Sequence, residues 1–503
     1  MGALLGLVSA AVALGVGEFV AAFVRPQASP VIVVGDRFIA LTPEAVKRWA
    51  IRNFGTGDKT ALLTGIYVMI AVLALLVGVL ALRRLAYGLA GLALFGAIGL
   101  YAALSTPAHR GADVVPTILG TFAAAGVLAV LARSAGRPAA PSGHGGGPDR
   151  RRFLQGSAVA AGLAAVTGFG GRAAQHARYD VTAARAGVAL PAPADPAPAL
   201  PVATDLRKGG QPWVTPNGDF YRIDTALSVP QVDPGTWSLR IHGMVDREIT
   251  VTYQQLLARP LIERWVTLCC VSNEIGGGLI GNARFLGALL ADLLREAGLH
   301  GGADQLLMTS ADQMTIGAPT AVVMDGRDAM VAVGMNGAPL PITHGFPARI
   351  VVPGLYGYVS ACKWVVDIEA TTFARRQAYW VQGGWAAQTD IKLESRIDTP
   401  RNGGRVGVGA PVAIAGVAWD QHVGVSRVEV QIDDGPWTIA RLAEIPSTDT
   451  WRQWVLPWTP PRAGSYRVRV RATDGSGSVQ TTAVRDVFPD GATGLHTITV
   501  RAG

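Results

Sequence analysis

The chain has 503 residues and a net charge of +8; half of its residues are hydrophobic and only 16% are charged. This length predicts two or three domains, and the composition indicates that part of the chain lies in a membrane. The basic residues are spread out, without a dense basic and aromatic stripe, which argues against a nucleic-acid partner. Three cysteines exclude a disulfide framework, and no CxxCH haem motif or iron–sulfur cysteine cluster occurs.

Residues 1–132 are predicted to form a four-helix transmembrane region. Each apolar run in it has the roughly 17–25 residues that a helix needs to cross the hydrocarbon core of a bilayer. The runs are Ala3–Val24, Ala61–Leu82, Ala86–Leu104 and Val114–Leu131. Glu18 is the one acidic residue within a run. Two interpretations of Glu18 stay open: a functional intramembrane acid, or an acid near the membrane interface beside Arg25.

Residues 133–172 are predicted to form a cytoplasmic basic loop followed by a fifth transmembrane helix. The loop is rich in arginine, and the positive-inside rule places such loops in the cytoplasm. Its segment Asp149–Gln155 resembles a twin-arginine export signal, a type that carries folded, cofactor-loaded proteins. The alternative is a plain run of positive charge that precedes a helix. We expect the segment to stay attached as an anchor, because no clear cleavage site follows it.

Five spans place everything after Arg172 outside the cytoplasm. We therefore expect a multi-pass protein of the plasma membrane whose catalytic domain lies on the extracytoplasmic side. The first loop disagrees, because its six Lys and Arg residues would also be outside. The short loops are given more weight, since an amphipathic surface segment in the first loop weakens the rule there.

Three soluble segments follow the predicted spans. Residues 173–211 are rich in Ala and Pro and are predicted to be an extended linker without a core. Residues 212–390 mix strand-like and helical runs in irregular order, which indicates an α+β domain. Residues 391–503 contain short alternating strands around Asp-Gly turns, which predicts an all-β immunoglobulin-like sandwich.

The stretch Arg264–Leu294 carries the most distinctive chemistry. An apolar strand at Trp265–Leu268 leads to adjacent cysteines, a glycine-rich turn and a helix predicted at about Leu286–Ala297. A thiol at the end of a strand beside such a turn suits a soft metal ion or a nucleophile. Judged from these residues alone, a buried inert cysteine remains the alternative.

Four local patterns occur in a fixed order in the central domain. They are Asn217–Arg222 (NGDFYR), Thr267–Asn273 (TLCCVSN), Met335–Gly354 (MNGAPLPITHGFPARIVVPG) and Lys363-Trp364. Together they resemble the sulfite oxidase family of molybdenum enzymes over roughly residues 213–372. The resemblance extends into the β-sandwich, which looks like that family's dimerisation-type domain and implies a homodimer.

The resemblance implies a molybdenum–molybdopterin cofactor with one protein thiolate on the metal. The family pattern puts this ligand three residues before Asn273 and so selects Cys270, which leaves Cys269 and Cys362 as packing residues. The cofactor-binding residues implied by the patterns are Tyr221, Arg222, Cys270, Asn273, Ser310, His344, Arg349, Ser360 and Lys363. Tyr356 and Tyr358 are either core aromatics or pocket walls.

Departures from the family pattern bear on the substrate. Val333 stands where sulfite-oxidising members carry a tyrosine, and Glu274 and Ile275 stand where they carry arginines. In these respects the chain looks more like bacterial periplasmic reductases of the same fold that act on methionine sulfoxide. We predict two-electron oxygen-atom transfer on a small molecule, with sulfite oxidation as the alternative. A non-enzymatic membrane-tethered binding protein, built on a relic cofactor fold, is the third interpretation.

The source of electrons is also constrained. None of the predicted membrane spans contains a histidine to bind haem, and the catalytic domain lacks haem and iron–sulfur motifs. Two-electron chemistry then needs an electron-transfer partner in trans, such as a cytochrome or a quinone-linked protein.

Overall fold

The computed structural model describes residues 1–54, 57–105, 110–135, 150–206 and 211–503. They form two compact units, which are described separately. The first contains residues 1–180 together with 224–231, and the second contains residues 181–223 together with 232–503. The twin-arginine-like segment begins at Asp149, which lies outside the described residues, and its remainder forms the start of a helix.

The first unit is all helical. Its helices are α1 Gly2–Val24, α2 Pro30–Leu41, α3 Glu44–Phe54, α4 Asp58–Arg83, α5 Leu85–Ser105, α6 Val115–Ala135 and α7 Arg150–Tyr179. Five of them, α1, α4, α5, α6 and α7, are long and apolar enough to cross a membrane. The prediction of five such helices is confirmed. The helix α2 was not predicted, because its twelve residues are too few to span a bilayer.

Helix α1 packs against α4, α6 and α7 through small residues. A Cβ atom added at Gly6 would lie 1.8 Å from the Ala74 carbonyl oxygen, and one added at Gly15 would lie 2.5 Å from the Ala164 carbonyl oxygen. Glycine is therefore required where these helix backbones approach each other. Close approach of this kind supplies the van der Waals contact that holds apolar helices together where a hydrophobic driving force is absent.

Polar contacts join the helix ends of the first unit. Arg25, just after α1, pairs with Asp113, just before α6. The Tyr179 hydroxyl at the end of α7 donates to the Val24 carbonyl at the end of α1 at 3.3 Å. Lys59, at the start of α4, pairs with Asp224 of the segment 224–231. The first two contacts put the end of α1, the start of α6 and the end of α7 at one end of the unit.

The second unit begins with an α+β domain. Its strands are β1 Ser238–Gly243, β2 Ile249–Thr252, β3 Leu261–Cys269, β4 Ile280–Leu289, β5 Gln305–Ser310, β6 Thr315–Pro319, β7 Met330–Met335, β8 Ala338–Pro339, β9 Arg349–Val351 and β10 Val365–Thr371. Its helices, with one that precedes the strands, are α8 Thr182–Ala186, α9 Tyr253–Leu257, α10 Leu290–Ala297, α11 Thr320–Val323 and α12 Tyr379–Gln382. One sheet has the order β2-β1-β10-β5-β6; the other has the order β3-β4-β7-β8, with β9 also paired to β7.

The helix predicted at about Leu286–Ala297 begins later than expected. Residues Leu286–Leu289 belong to β4, and α10 starts at Leu290. The strand pairs with β3 along one edge and with β7 along the other, and residues on both of its faces are buried, so Leu286–Leu289 read as an apolar run without alternation. Periodicity alone does not separate such a strand from a helix.

The remaining strands form a two-sheet sandwich, as predicted. They are β11 Glu394–Thr399, β12 Arg405–Val406, β13 Val412–Trp419, β14 Val425–Ile432, β15 Thr438–Ile439, β16 Arg441–Leu442, β17 Arg452–Trp458, β18 Gly464–Asp474 and β19 Thr497–Ala502. The sheet orders are β11-β13-β17-β16 and β12-β19-β18-β14-β15. Their inner faces enclose a core that includes Ile414, Val428, Trp454 and Val468.

The segment 173–211, predicted as a linker without a core, is largely attached to the second unit. Residues 173–179 form the end of α7, and Thr182–Ala186 form α8. Further along, the Glu263 N–H donates to the Asp195 carbonyl at 2.8 Å, and the Trp265 indole donates to the Pro198 carbonyl at 3.0 Å. The prediction of an extended linker is wrong for residues 173–179 and 182–186, which are helical; further along, pairing with the free edge of β3 holds the chain in place.

Candidate active site

The two cysteines lie where β3 ends. Cys269 is the last residue of the strand and is buried, whereas Cys270 is partly exposed. The Cys270 N–H donates to the Leu279 carbonyl at 2.9 Å, and its carbonyl accepts from the Asn273 N–H at 3.0 Å. Successive side chains in extended backbone point to opposite sides. Cys270, the partly exposed residue, is thus the cysteine available to a ligand.

Asn273 holds the turn that follows Cys270. Its side-chain oxygen accepts from the Leu279 N–H at 2.8 Å. Its side-chain nitrogen is buried and has no hydrogen-bond partner among the described residues. A buried amide without an acceptor is costly, so this nitrogen marks a place for a ligand atom.

The surroundings of the Cys270 thiol shift its pKa in opposite directions. Burial raises its pKa, while hydrogen bonds from the Ser272 backbone and hydroxyl, together with the charge of Lys363, lower it. The pKa of Cys269 is raised well above its usual value, by burial first and then by nearby Glu394 and Cys270. Only Cys270 therefore has donors that stabilise a thiolate, the form that binds metals.

Tyr221 stands next to the thiols. Burial and then the charges of Cys270 and Cys269 raise its pKa well above the usual value, and Arg349 opposes the rise. Its ring stacks on Phe220, with the ring centroids 5.3 Å apart. Phe220 in turn contacts the edge of the His344 ring at 5.6 Å, which links the NGDFYR pattern to the HGFPAR pattern.

His344 is buried beside several cations. Burial and the charges of Arg349, Lys363 and Arg222 lower its pKa to about 4. Its ring is therefore neutral at physiological pH and serves as a hydrogen-bonding group. Because Arg222, Arg349 and Lys363 each lower the pKa of His344, these three cations lie near its ring.

Arg349 is a buried guanidinium with spare donors. Its side chain donates to the His344 carbonyl at 3.3 Å, yet its Nε has no partner among the described residues. Burial lowers its pKa to about 10, so the group stays positively charged at neutral pH. Burying a cation without a carboxylate partner is costly unless an anion binds to it. The planar guanidinium can form two parallel hydrogen bonds to a phosphate.

Lys363 is brought to the site by a close backbone approach. Gly345 has a φ of +110°, and a Cβ added there would lie 3.2 Å from the Lys363 Cα. Glycine is required at this position both by the backbone conformation and by the contact. The Lys363 Nζ lies 4.8 Å from the centre of the Trp364 ring.

The two serines differ from the other predicted residues. The Ser360 hydroxyl donates to the Leu355 and Tyr356 carbonyls, at 3.3 and 2.9 Å, and so stabilises its own turn. Ser310 is buried at the end of β5, and its hydroxyl lacks a partner among the described residues. The Ala311 N–H donates to the Trp364 carbonyl, which ties this strand end to the Lys363-Trp364 pattern.

The remaining predicted residues form one cluster. Electrostatic coupling and ring contacts connect Tyr221, Arg222, Cys270, His344, Arg349 and Lys363. The four patterns are spread over residues 217–364 of the sequence. Their convergence in space argues against the third interpretation, in which these residues would be scattered.

Sequence reasoning missed the roles of two groups near the site. Glu394, the first residue of β11, has one carboxyl oxygen without a partner among the described residues, and burial raises its pKa to about 8. Asn217 accepts from the Asn336 side chain at 2.8 Å and joins two of the four patterns. Asn217 lay within a quoted pattern, whereas nothing in the sequence around Glu394 pointed to the cysteines.

The site fits a molybdopterin cofactor. Its phosphate would meet the Arg349 guanidinium, whose Nε has no partner among the described residues. Its pterin edge has His344 and the Asn273 amide to bond, and Cys270 offers one thiolate. Soft thiolate ligands are the protein donors expected for such a centre. The described part of the chain contains no group of three or more His, Cys, Asp or Glu side chains that could hold a metal ion.

Comparisons with known proteins agree with this chemistry. The Oxidoreductase molybdopterin binding domain family matches residues 226–380, and the Bacterial Ig domain family matches residues 394–500. The sulfite oxidase of Gallus gallus is 30% identical over 326 residues, which cover 55% of this chain and 70% of that protein. The mitochondrial sulfite oxidase of Homo sapiens is 31% identical over 329 residues, 55% of this chain and 59% of that protein. The chain thus spans less than two thirds of the human enzyme.

A solved structure shares the fold. The sulfane dehydrogenase SoxCD from Paracoccus pantotrophus superimposes with a TM-score of 0.51 and 25% identity, over 58% of this chain and 82% of that one. The fold and the clustered site define a molybdopterin-dependent oxidoreductase. The chain belongs to the sulfite oxidase family of these enzymes.

Proposed function

We propose that the protein is a membrane-anchored enzyme that transfers an oxygen atom to or from a small sulfur compound, with electrons exchanged with a partner in trans. The observation that carries the proposal is that Cys270, the one partly exposed cysteine, lies in one cluster with the buried cation Arg349 and the neutral His344. Five apolar helices support membrane anchoring. The β-sandwich is proposed as the surface of a homodimer.

Each residue of the cluster has a proposed task. Cys270 would ligate the metal, and the Ser272 donors would hold its sulfur in the thiolate form. Arg349 and Lys363 would bind the cofactor's phosphate, and Arg222 would add positive charge beside His344. Tyr221 and Asn273 would bond the cofactor's polar groups, with Ser310 and Ser360 at its margin. When bound, the molybdenum cofactor supplies a two-electron redox change coupled to oxygen-atom transfer.

An S-oxide is the proposed substrate class. Val333 is fully buried in β7 at the position where a sulfite-oxidising enzyme would have a tyrosine. A sulfite dianion needs several cations around it, yet the cations beside His344 are assigned to the cofactor, and Glu274 and Ile275 stand where sulfite-oxidising members carry arginines. A neutral S-oxide places no such demand on the pocket.

Sulfite oxidation is the second candidate, because the curated relatives at 30% and 31% identity are sulfite oxidases. The test is a side-by-side assay of the molybdenum-loaded protein with sulfite and ferricyanide, and with methionine sulfoxide and a reduced viologen dye. Faster turnover of the sulfoxide by at least tenfold is expected. Turnover of sulfite alone would select the second candidate.

The ligand assignment has a matched pair of variants. Cys270→Ser removes the exposed thiol, and we expect it to abolish turnover while the protein remains folded. Cys269→Ser changes the neighbouring buried thiol, and we expect it to retain most of its molybdenum-dependent activity with lower stability. Full activity in Cys270→Ser would reject the assignment. Molybdenum content measured by mass spectrometry accompanies both assays.

A further inference from the structure

Two cavities lie side by side in the helical unit. The larger, of about 290 Å³, is almost entirely apolar and lies between α1, α2, α4, α5 and α6. The smaller, of about 170 Å³, lies between α1, α2, α4 and α7. Leu14 and Val31 line both, so the two cavities share a wall. The volume of the larger one is near the lower limit of about 300 Å³ for small-molecule sites.

The smaller cavity carries polar groups at its wall. Its lining includes Glu18 from α1, Tyr67 from α4 and Arg172 from α7. The Arg172 guanidinium donates to the Tyr67 hydroxyl at 3.3 Å. A carboxyl group, a phenol and a guanidinium therefore surround one small space between apolar helices.

Glu18 is held by neutral donors. The Ser29 hydroxyl donates to one carboxyl oxygen at 2.6 Å, and the Gln175 amide donates to the other at 3.1 Å. Glu18 lies six residues before the end of α1, about 9 Å along the helix axis. A carboxyl group this far inside an apolar helix is costly, and such residues usually mark a ligand or proton pathway.

The larger cavity opens to the outer surface of the helices. Its lining includes Met69 and Ile98, whose side chains are 48% and 46% exposed. Gly96 and Gly99 of α5 and Thr117 and Thr121 of α6 also line it. A long apolar chain entering between these helices would continue toward the polar cavity.

We propose that these two cavities form a binding site for an isoprenoid quinone. The ring would lie in the smaller cavity, where Tyr67 and Arg172 offer donors to a quinone oxygen and Glu18 offers an acceptor to a quinol hydroxyl. The isoprenoid tail would fill the larger cavity. A phospholipid fits less well, since its acyl chains offer nothing to the polar wall and its phosphate would approach the Glu18 carboxyl.

The choice of a quinone over another lipid rests on the proposed function. A quinol releases two electrons and two protons on oxidation, and reduction of an S-oxide to a sulfide and water consumes the same number of each. The overall balance is quinol plus S-oxide giving quinone, sulfide and water. A membrane-soluble carrier bound by the helical unit would then be the electron partner.

The test uses the full-length, molybdenum-loaded protein in lipid nanodiscs and a short-tailed photoreactive azido-ubiquinone. Label located by mass spectrometry on α1 or α7, and displaced by decylubiquinone, is the expected result. Ala165→Phe places a ring in the smaller cavity and should reduce labelling at least tenfold. Val166→Phe is the matched control, because the adjacent Val166 is 72% exposed and lines neither cavity; its labelling should equal that of the wild type.

Glu18→Gln keeps the size of the side chain and covers the case in which Ala165→Phe fails to fold. It should weaken labelling several-fold without changing the melting temperature. Equal labelling of wild type and Ala165→Phe, or displacement by a saturated phospholipid as effective as by decylubiquinone, would reject the quinone site. Molybdenum content and dye-linked turnover are measured on the same samples. Labelling without turnover would reject the proposed function while leaving the quinone site standing.

Discussion

The Trp451 backbone N–H donates to the hydroxyl of Thr267 at 2.8 Å, which joins the β-sandwich to the strand that ends at the cysteines. The same threonine donates to the Asn282 side chain at 2.9 Å on β4. Its backbone carbonyl accepts from the Gln421 amide at 3.1 Å. Thr267 is fully buried, so the sandwich is part of the structure that positions Cys270.

Replacing Thr267 tests this junction. Thr267→Val keeps the shape but takes away the hydrogen-bond partner of the buried Trp451 N–H and of the Asn282 side-chain oxygen, which should destabilise the protein by about 1–3 kcal/mol. Thermal denaturation of the purified full-length protein measures the change. Thr250→Val on β2, where the threonine is exposed, is the control and should change stability by less than about 0.5 kcal/mol. Equal effects of the two variants would contradict the structural role.

Arg349→Met removes the buried guanidinium that faces the proposed phosphate. We expect molybdenum content to fall at least tenfold, because a neutral side chain offers no charge-assisted hydrogen bonds. Arg349→Lys should be intermediate, since an ammonium supplies charge without the planar fork. Arg295→Met is the control, as Arg295 is 60% exposed and pairs only with its neighbour Asp292 among the bonds found for it. Elemental analysis of the purified variants is the measurement, and normal loading of Arg349→Met would contradict the assignment.

The lowered pKa of His344 predicts that the free energy of unfolding depends on pH. Its pKa in the folded protein is about 4, below the usual 6.5. Between these values the unfolded chain binds a proton that the folded protein does not. Stability therefore falls as pH decreases from 6.5 to 4, by at most about 3 kcal/mol. His344→Gln should flatten this part of the profile, whereas His300→Gln, at a half-exposed position, should not. Denaturant unfolding at several pH values measures both profiles.

Glu394 has the opposite dependence. Burial raises its pKa from 4.5 to about 8, so the folded protein holds a proton that the unfolded chain has lost. This contribution to stability is fully present below pH 4.5 and is lost as pH rises through 8. Glu394→Gln, which is always neutral, should therefore gain stability over the wild type as pH rises from 5 to 9. Glu444→Gln, at an exposed position, should show no such trend. A constant difference between Glu394→Gln and wild type across this range would refute the protonated state.

The orientation in the membrane is tested with introduced thiols. Val202→Cys places a thiol at a fully exposed position of the second unit. In intact cells it should react with a membrane-impermeant maleimide if this unit faces outward. Ser142→Cys lies in the basic loop predicted to be cytoplasmic and should react only after the membrane is broken. The native cysteines are buried or partly buried and give the background. The reverse pattern would invert the predicted topology.

The family and the cofactor followed from short ordered patterns that need no knowledge of packing. Cys270, His344, Arg349 and Lys363 could be named because the four patterns that contain them resemble those of the sulfite oxidase family. The five apolar helices were equally readable, since bilayer thickness sets the length of an apolar run. Strand alternation located the β-sandwich for the same reason: one buried face imposes a period of two.

Tertiary structure alone decided the features that depend on residues far apart in sequence. Leu286–Leu289 form strand and not helix because β3 and β7 pair with β4 on its two edges. The Ala- and Pro-rich segment is held because β3 has a free edge, and Asp195 meets Glu263 there. Glu394 lies near Cys269 because the sandwich packs on the catalytic domain. Local sequence determines conformation and chemistry, whereas the partner of an edge, a cavity or a buried charge is set only when the whole chain has packed.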